Sequence, residues 1–381
     1  MRTRAWLRAS AATMPPRRHG ARLIIGLKAC LATCLALLLG ACDDGNAPAS
    51  RSGYAGLGQE ASAYAPVERG RLLRFPGDHG PHDGYRIEWW YVTADLKDEE
   101  GHDWGVQWTL FRSALRPGPD QAGWESANVW MAHAALTDAN AHQFVEKMAR
   151  GGIGQAGVQA QPFRAWIDDW TLEGPDIDHV TMRAQSKDFG YRLTLVADGP
   201  LVLHGDAGYS EKSGQGQASY YYSQPFYRVS GEVERGGKRH RVQGRAWLDR
   251  EWSSQPLSAN QQGWDWFSLH LAGGPRLMLF QVRQTDGAPY RAGTWIAADG
   301  RAVALRPGQI QLDPLDWTRQ DDGRRLPTRW RVRVAGVPGG DVDVTADALQ
   351  PHAWMGTRFA YWEGPVRLSL GGVGYLEMTG Y

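Results

Sequence analysis

Three short stretches of this chain place carboxylates directly beside large aromatic side chains. Glu88 precedes Trp89-Trp90-Tyr91 in "RIEWWYVTADL", and Asp265 precedes Trp266-Phe267 in "GWDWFSLHL". Asp249, Arg250, Glu251 and Trp252 follow one another in "WLDREWSS". A carboxyl group surrounded by apolar rings is poorly solvated when charged and keeps its proton to higher pH. Such an acid can protonate an alkene, an aromatic face stabilises the resulting cation, and water completes the reaction. Asp249, Glu251 and Asp265 are therefore the candidate catalytic acids. The candidate ligand-binding residues around them are Trp89, Tyr91, His133, His204, Tyr221, Trp252, Trp266 and His270.

The elements that must position these residues come from a duplication. Glu88-Trp89-Trp90 matches Asp265-Trp266-Phe267, and "GVQWTLFR" (105–112) matches "RLMLFQVR" (276–283). "DDWTL" (168–172) matches "LDWTR" (315–319), "YSQPFYRVSGEV" (222–233) matches "WEGPVRLSLGGV" (362–373), and "GRAWL" (244–248) falls opposite "GYLEM" (374–378). The order is kept throughout, which predicts two homologous domains in tandem, 68–250 and 251–381. Each matched segment alternates in polarity over five to nine residues between Gly-, Pro- or Asp-rich turns, so both domains are all-β.

Folding the first hairpin so that Glu88 faces Arg112 sets Trp90 opposite Leu110, Val92 opposite Trp108 and Ala94 opposite Val106. The same construction in the second copy pairs Asp265 with Arg283, Leu269 with Leu279 and Leu271 with Leu277, leaving Phe267 against Gln281 as the one break. An acid on an apolar strand face needs a partner, and an arginine across the strand supplies one. The structural reading of Glu88–Arg112 and Asp265–Arg283 is thus an ion pair closing one end of each barrel. The alternate face carries Trp89, Tyr91 and Thr93, with Trp266, Ser268 and His270 in the second copy. Its mixed character suits either a ligand-lined lumen or an interdomain surface. The "WLDREWSS" segment is expected in the first copy alone, since its counterpart would fall at or beyond Tyr381. Its bland reading is a junction held by Asp249, Arg250 and Glu251.

The formal charge of +1 conceals a split. The first 41 residues hold seven of the 42 basic residues and no acid, which leaves 35 against 41 acidic ones, net about −6. Nothing in that balance favours nucleic acid. Residues 1–41 read as an export signal, a basic stretch followed by "ACLATCLALLLGA", and Leu39-Gly40-Ala41-Cys42 resembles the bacterial lipobox. Cys42 is then the lipidation site and the mature chain has no disulfide. Residues 42–67 are the expected tether between lipid and fold. The expected location is the cell envelope, facing the periplasm, with Asp43 slightly favouring the inner membrane.

Seven stretches taken together, "IEWWYVTADL", "WMAHAALTD", "LHGDAGYSEK", "ASYYYSQPF", "WLDREWSSQPL", "GWDWF" and "GYLEMTGY", resemble the AttH and carotenoid 1,2-hydratase superfamily from about residue 70 onward. The resemblance implies two lipocalin-like (calycin) barrels. It also implies three functions to weigh. These are binding of an apolar, isoprenoid- or lipid-like molecule, cofactor-free hydration or isomerisation, and service as an accessory subunit to an ABC transporter permease. Ser210 and Lys212 occupy positions resembling the family's, while Arg250 stands where many relatives have His, and a guanidinium cannot shuttle a proton. The chain carries no Gly-x-Ser-x-Gly elbow, His-Glu-x-x-His motif or phosphate-cradling loop, so neither a cofactor nor a metal is expected.

Overall fold

The computed structural model describes residues 63–255 and 260–381, so the expected signal segment, Cys42 and most of the tether lie outside the described residues. The first domain comprises β1 (Ile87–Asp98), β2 (Asp103–Ala114), β3 (Asn128–Thr137), β4 (His142–Arg150), β5 (Ala156–Gln159), β6 (Phe163–Ile167) and β7 (Trp170–Asp176). It continues with β8 (His179–Gln185), β9 (Phe189–Ala197), β10 (Val202–Leu203), β11 (Tyr209–Glu211), β12 (Ala218–Arg235) and β13 (Lys238–Ser253). The second domain runs through β14 (Gln261–Leu271), β15 (Arg276–Gln284), β16 (Tyr290–Ile296), β17 (Ala302–Leu305) and β18 (Ile310–Arg319). It ends with β19 (Arg325–Val334), β20 (Val342–Ala348), β21 (Trp354–Met355), β22 (Tyr361–Leu368) and β23 (Gly372–Met378). There is no α-helix among the described residues.

Each domain is one antiparallel sheet curled into a barrel. The first has the order β4-β3-β2-β1-β13-β12-β9-β8-β7-β6-β5, the second β17-β16-β15-β14-β23-β22-β20-β19-β18. In both, the opening hairpin pairs with the last strand, as the duplication requires. The lumens are filled by side chains. Trp90, Val92, Ala94, Val106, Trp108 and Leu110 point into the first, and Phe267, Leu269, Leu277, Leu279 and Trp330 into the second. A packed lumen leaves no room for a ligand, so the opposite strand face is the one available for binding.

The first hairpin has the expected register, with Glu88 opposite Arg112 and Val92 opposite Trp108. The second is displaced by two residues from expectation. Asp265 faces Gln281, Phe267 faces Leu279 and Leu269 faces Leu277, beyond an irregularity between Gln261 and Gly263. The slip preserves which face each residue occupies and replaces the Phe267–Gln281 mismatch with an apolar pair. Arg283, now opposite Gly263, still reaches Asp265, while the Gln281 amide donates to Asp265 at 2.8 Å.

Residues 63–67, grouped with the tether on composition, pack on the first barrel. Tyr64 donates to the Ala114 carbonyl at 2.8 Å, and Val67 is buried among Ala218, Tyr220 and Trp252. Where the barrels meet, Tyr221, Phe226 and Trp247 of the first share one apolar cluster with Met278, Phe280 and Val282 of the second.

Candidate functional site

The two strand pairings place equivalent residues of the two domains around one interdomain cleft. In the first domain Trp89 lies between Phe111 on β2 and Glu251 on β13, and Glu251 lies opposite Tyr221 on β12. In the second, Trp266 lies between Phe280 on β15 and Glu377 on β23, and Glu377 lies opposite Glu363 on β22. Glu251 therefore does have a counterpart, Glu377. The expectation that "WLDREWSS" was unrepeated came from aligning "GYLEM" four residues too early in that motif. Asp249 is the residue particular to the first domain, because the equivalent position is Tyr375.

The cleft has a volume of about 670 Å³ and is lined by Trp89, Tyr91, Phe111, Tyr221, Asp249 and Glu251 from one barrel and Trp264, Trp266, Phe280 and Glu377 from the other. Period-two alternation explains the selection: odd positions of β13 face the cleft, while Leu248, Arg250 and Trp252 face away.

Asp249 is 3% exposed and takes three hydrogen bonds on a single oxygen. Tyr221 Oη donates to Oδ1 at 2.8 Å, Trp247 Nε1 at 2.9 Å, and the Ser223 hydroxyl completes the set. Oδ2 has no hydrogen-bond partner. Burial, aided by the nearby Glu251 carboxylate and opposed by the three donors, lifts the Asp249 pKa to about 7. Glu251 differs in being paired with Lys212 at 2.8 Å. The Lys212 ammonium itself lies 4.7 Å from the Tyr221 ring centre and 4.5 Å from that of Phe280.

Glu377 also sits at about 7, raised by burial, opposed by the Trp264 indole that donates to it and by the neighbouring Tyr91 hydroxyl, and raised further by Glu251. Behind it, burial and the Glu377 charge hold Glu363 well above the usual range, and Tyr91 Oη donates to its carboxyl group. Hydrogen bonds cross between the barrels in both directions, since Trp266 Nε1 donates to Tyr221 Oη at 3.1 Å. Glu377, Glu363, Phe111, Phe280 and Trp264 were not singled out in the sequence. The signal for Glu377 was available as a carboxylate within the apolar alternation of "GYLEM".

Of the other sequence candidates, Glu88 and Arg112 touch this lining, and Asp265, Arg283, His133, His204, Trp252 and His270 lie outside it. Glu88 is fully buried between Arg112 and Arg250, which outweigh the cost of its burial and hold it well below the ordinary carboxylate range. Arg250 also lies 3.8 Å from the Trp90 ring centre, so its guanidinium belongs to the first barrel's interior. Asp265 is buried with Arg283, Gln281 and the Tyr381 hydroxyl, which donates at 2.9 Å. His133 lies 2.8 Å from Tyr361 Oη and 3.3 Å from Glu146. His204 bridges Thr294 Oγ1 at 2.8 Å and Ser223 Oγ at 2.6 Å, and so supports Asp249 from behind. Burial keeps His204 and His270 neutral, with pKa values of about 3. Trp252 stacks on His82 at 4.0 Å, and His270 packs against Trp247. No grouping of metal-ligating side chains occurs among the described residues.

Comparison with known proteins agrees with this architecture. A sequence model described as AttH-like matches residues 66–381. A Nitrosomonas europaea protein assigned to AttH is 34% identical, with a TM-score of 0.75, over 83% of this chain and 99% of its own. Kievitone hydratase from Nectria haematococca has a TM-score of 0.60 at 12% identity, over 84% of this chain and 96% of its own. CghA, solved with Sch210972, has a TM-score of 0.52 at 12% identity, over 84% and 97%. The latter two likenesses concern the fold alone. No functionally curated protein matches in sequence. The duplicated barrels, the ordered motifs and the family match over 66–381 make this chain a member of the AttH-like family.

Proposed function

We propose that this protein holds an apolar, isoprenoid- or lipid-like small molecule in the interdomain cleft and does so at the cell envelope, anchored through Cys42. The observation that carries the binding reading is a cleft of about 670 Å³ walled by aromatic side chains of both barrels while both lumens are packed. Such a volume lies in the range of small-molecule sites, and an aromatic wall with few polar groups is their usual composition. Native mass spectrometry of the purified protein, followed by solvent extraction, tests it. A stoichiometric apolar adduct is expected. Absence of an adduct, together with unchanged Trp fluorescence across a panel of terpenes and fatty acids, would sink the binding role. Cys42→Ala should release the protein from the membrane fraction, and continued sedimentation with membranes would remove the anchor from the proposal.

A second reading, cofactor-free acid catalysis of the hydratase or isomerase kind, is favoured by the geometry of Asp249. Three donors fix Oδ1 as the acceptor oxygen, which leaves Oδ2 to carry the proton. Proton transfer from Oδ2 to an alkene carbon would form one C–H bond and leave a cation on the neighbouring carbon. Water then adds and returns a proton to the carboxylate, or an adjacent carbon surrenders one, so the acid is regenerated in either case. Asp249→Asn should abolish turnover of a prenyl alkene with little effect on its binding. Equal turnover by the variant would assign the acid elsewhere.

A further inference from the structure

We infer that the cleft selects ligands by positive charge: its natural occupant is an apolar molecule that carries a cationic centre, such as a long-chain ammonium. This rests on the cleft being the binding site and deepens it by naming the class of ligand. The first support is a count of partners. Four carboxyl side chains line the cleft, Glu88, Asp249, Glu251 and Glu377, and of these Glu88 is matched by Arg112 and Arg250 and Glu251 by Lys212, which leaves Asp249 and Glu377 without a cation. The other basic side chains of the lining are engaged elsewhere. Arg112 is held by Glu88, Arg324 by Asp322, and Arg358 by Glu146. No basic group of the lining therefore forms a salt bridge with Asp249 or Glu377.

The second support is the unpartnered Oδ2 of Asp249, a group 3% exposed in the wall of the cleft. Its neighbours cannot satisfy it, since Tyr221, Ser223 and Trp247 all donate to Oδ1. The third is that the cleft already holds one ammonium in the way proposed. Lys212 Nζ sits over the Tyr221 and Phe280 rings at 4.7 and 4.5 Å while pairing with Glu251. Trp89 and Trp266 present further indole faces beside Glu251 and Glu377, which are the strongest side-chain partners for a cation. Burial, reinforced by repulsion from Glu251, keeps protons on Asp249 and Glu377, and a cationic ligand beside them favours their charged forms. An anionic headgroup would add to that repulsion.

The test compares three probes with the same tail, dodecyltrimethylammonium, dodecanol and dodecanoate, each titrated below its micellar concentration and followed by native mass spectrometry and calorimetry. At pH 8 the ammonium should bind at least tenfold more tightly than dodecanol, and dodecanoate more weakly than either. The ammonium's charge is fixed, so a preference that shrinks on going to pH 6 reports protonation of Asp249 and Glu377 in the field of Glu251, Lys212 and Glu363. In the double variant Asp249→Asn, Glu377→Gln the ratio of ammonium to dodecanol affinity should fall to about one, with the melting curve checking that the variant is folded. Equal affinities in the unaltered protein, or a preference that survives in the folded double variant, overturn charge selection and leave apolar binding standing. Failure of all three probes to bind overturns both.

Discussion

Asp249 and Glu88 are both buried carboxyl groups within three residues of a tryptophan in sequence, yet they titrate in opposite directions, because one has hydrogen-bond donors without charge and the other has two arginines. The consequence for stability can be worked out in sign. The unfolded Asp249 carboxyl titrates near 3.8 and the folded one near 7, so between those values the native state holds a proton that the unfolded chain has released. Its contribution is complete below the unfolded value and is lost as pH rises through about 7, at roughly 1.4 kcal/mol per pH unit within the window. Glu377 acts in the same direction between 4.5 and about 7. The buried neutral His204 and His270 act in the opposite direction up to about 6.5, so chemical denaturation should show falling stability above that value, between pH 6.5 and pH 8. Asp249→Asn, which keeps the Oδ1 acceptor and removes the ionisation, should give a shallower slope and greater stability than the unaltered protein at pH 8. An identical slope in the variant would mean that Asp249 is ionised throughout.

At the level of elements, β13 carries the argument because its two faces do different work. Asp249 and Glu251 project to the cleft, whereas Arg250 projects into the barrel and completes the Arg112–Glu88–Arg250 triad at its end. Glu88→Gln leaves two buried guanidinium groups around a neutral amide and should cost about 3–5 kcal/mol, the usual consequence of removing one member of a buried ion pair. Arg283→Met in the second barrel should cost less, since that side chain is 18% exposed and Gln281 and Tyr381 remain to hydrogen-bond Asp265. Equal losses in the two variants, read from urea midpoints, would contradict this ranking. These pairings also mark how far the sequence was legible. The alternation of Trp90, Val92 and Ala94 against Leu110, Trp108 and Val106 was readable because one face is apolar throughout. The second hairpin was misplaced by two residues, since a two-residue slip leaves every side chain on its own face and the pattern cannot detect it. Glu377 was hidden for a related reason: its equivalence to Glu251 appears only when both are aligned through their partners Trp89 and Trp266.

The cleft itself belongs to the whole molecule, because no single barrel has both of its walls, and its width depends on how closely the barrels approach. Gly105 on β2 marks a point of contact. A Cβ built there would meet Pro365 Cγ at 2.5 Å and Tyr375 Oη at 2.6 Å, both on the other barrel. The residue is a glycine because its neighbour's surface occupies the space of a side chain, and no unusual backbone angle is involved. An ion pair between Asp103 and Arg367 ties the same strands together at the surface. Gly105→Val must push Pro365 and Tyr375 away, and since these lie on β22 and β23 the displacement is carried along the strands that hold Glu363 and Glu377. The cost should be about 1–3 kcal/mol, typical of overpacking a tight contact. The informative measurement is calorimetric. The unaltered protein should unfold in one transition, as the apolar cluster shared by Tyr221, Trp247, Met278 and Phe280 couples the barrels. Gly105→Val should broaden or split that transition and weaken capture of apolar ligands, with each barrel keeping its own packed lumen. A variant with the original single transition and full ligand affinity would show that the barrels yield at this contact without opening the cleft, and that the cleft's dimensions are set instead by the cluster around Tyr221 and Phe280.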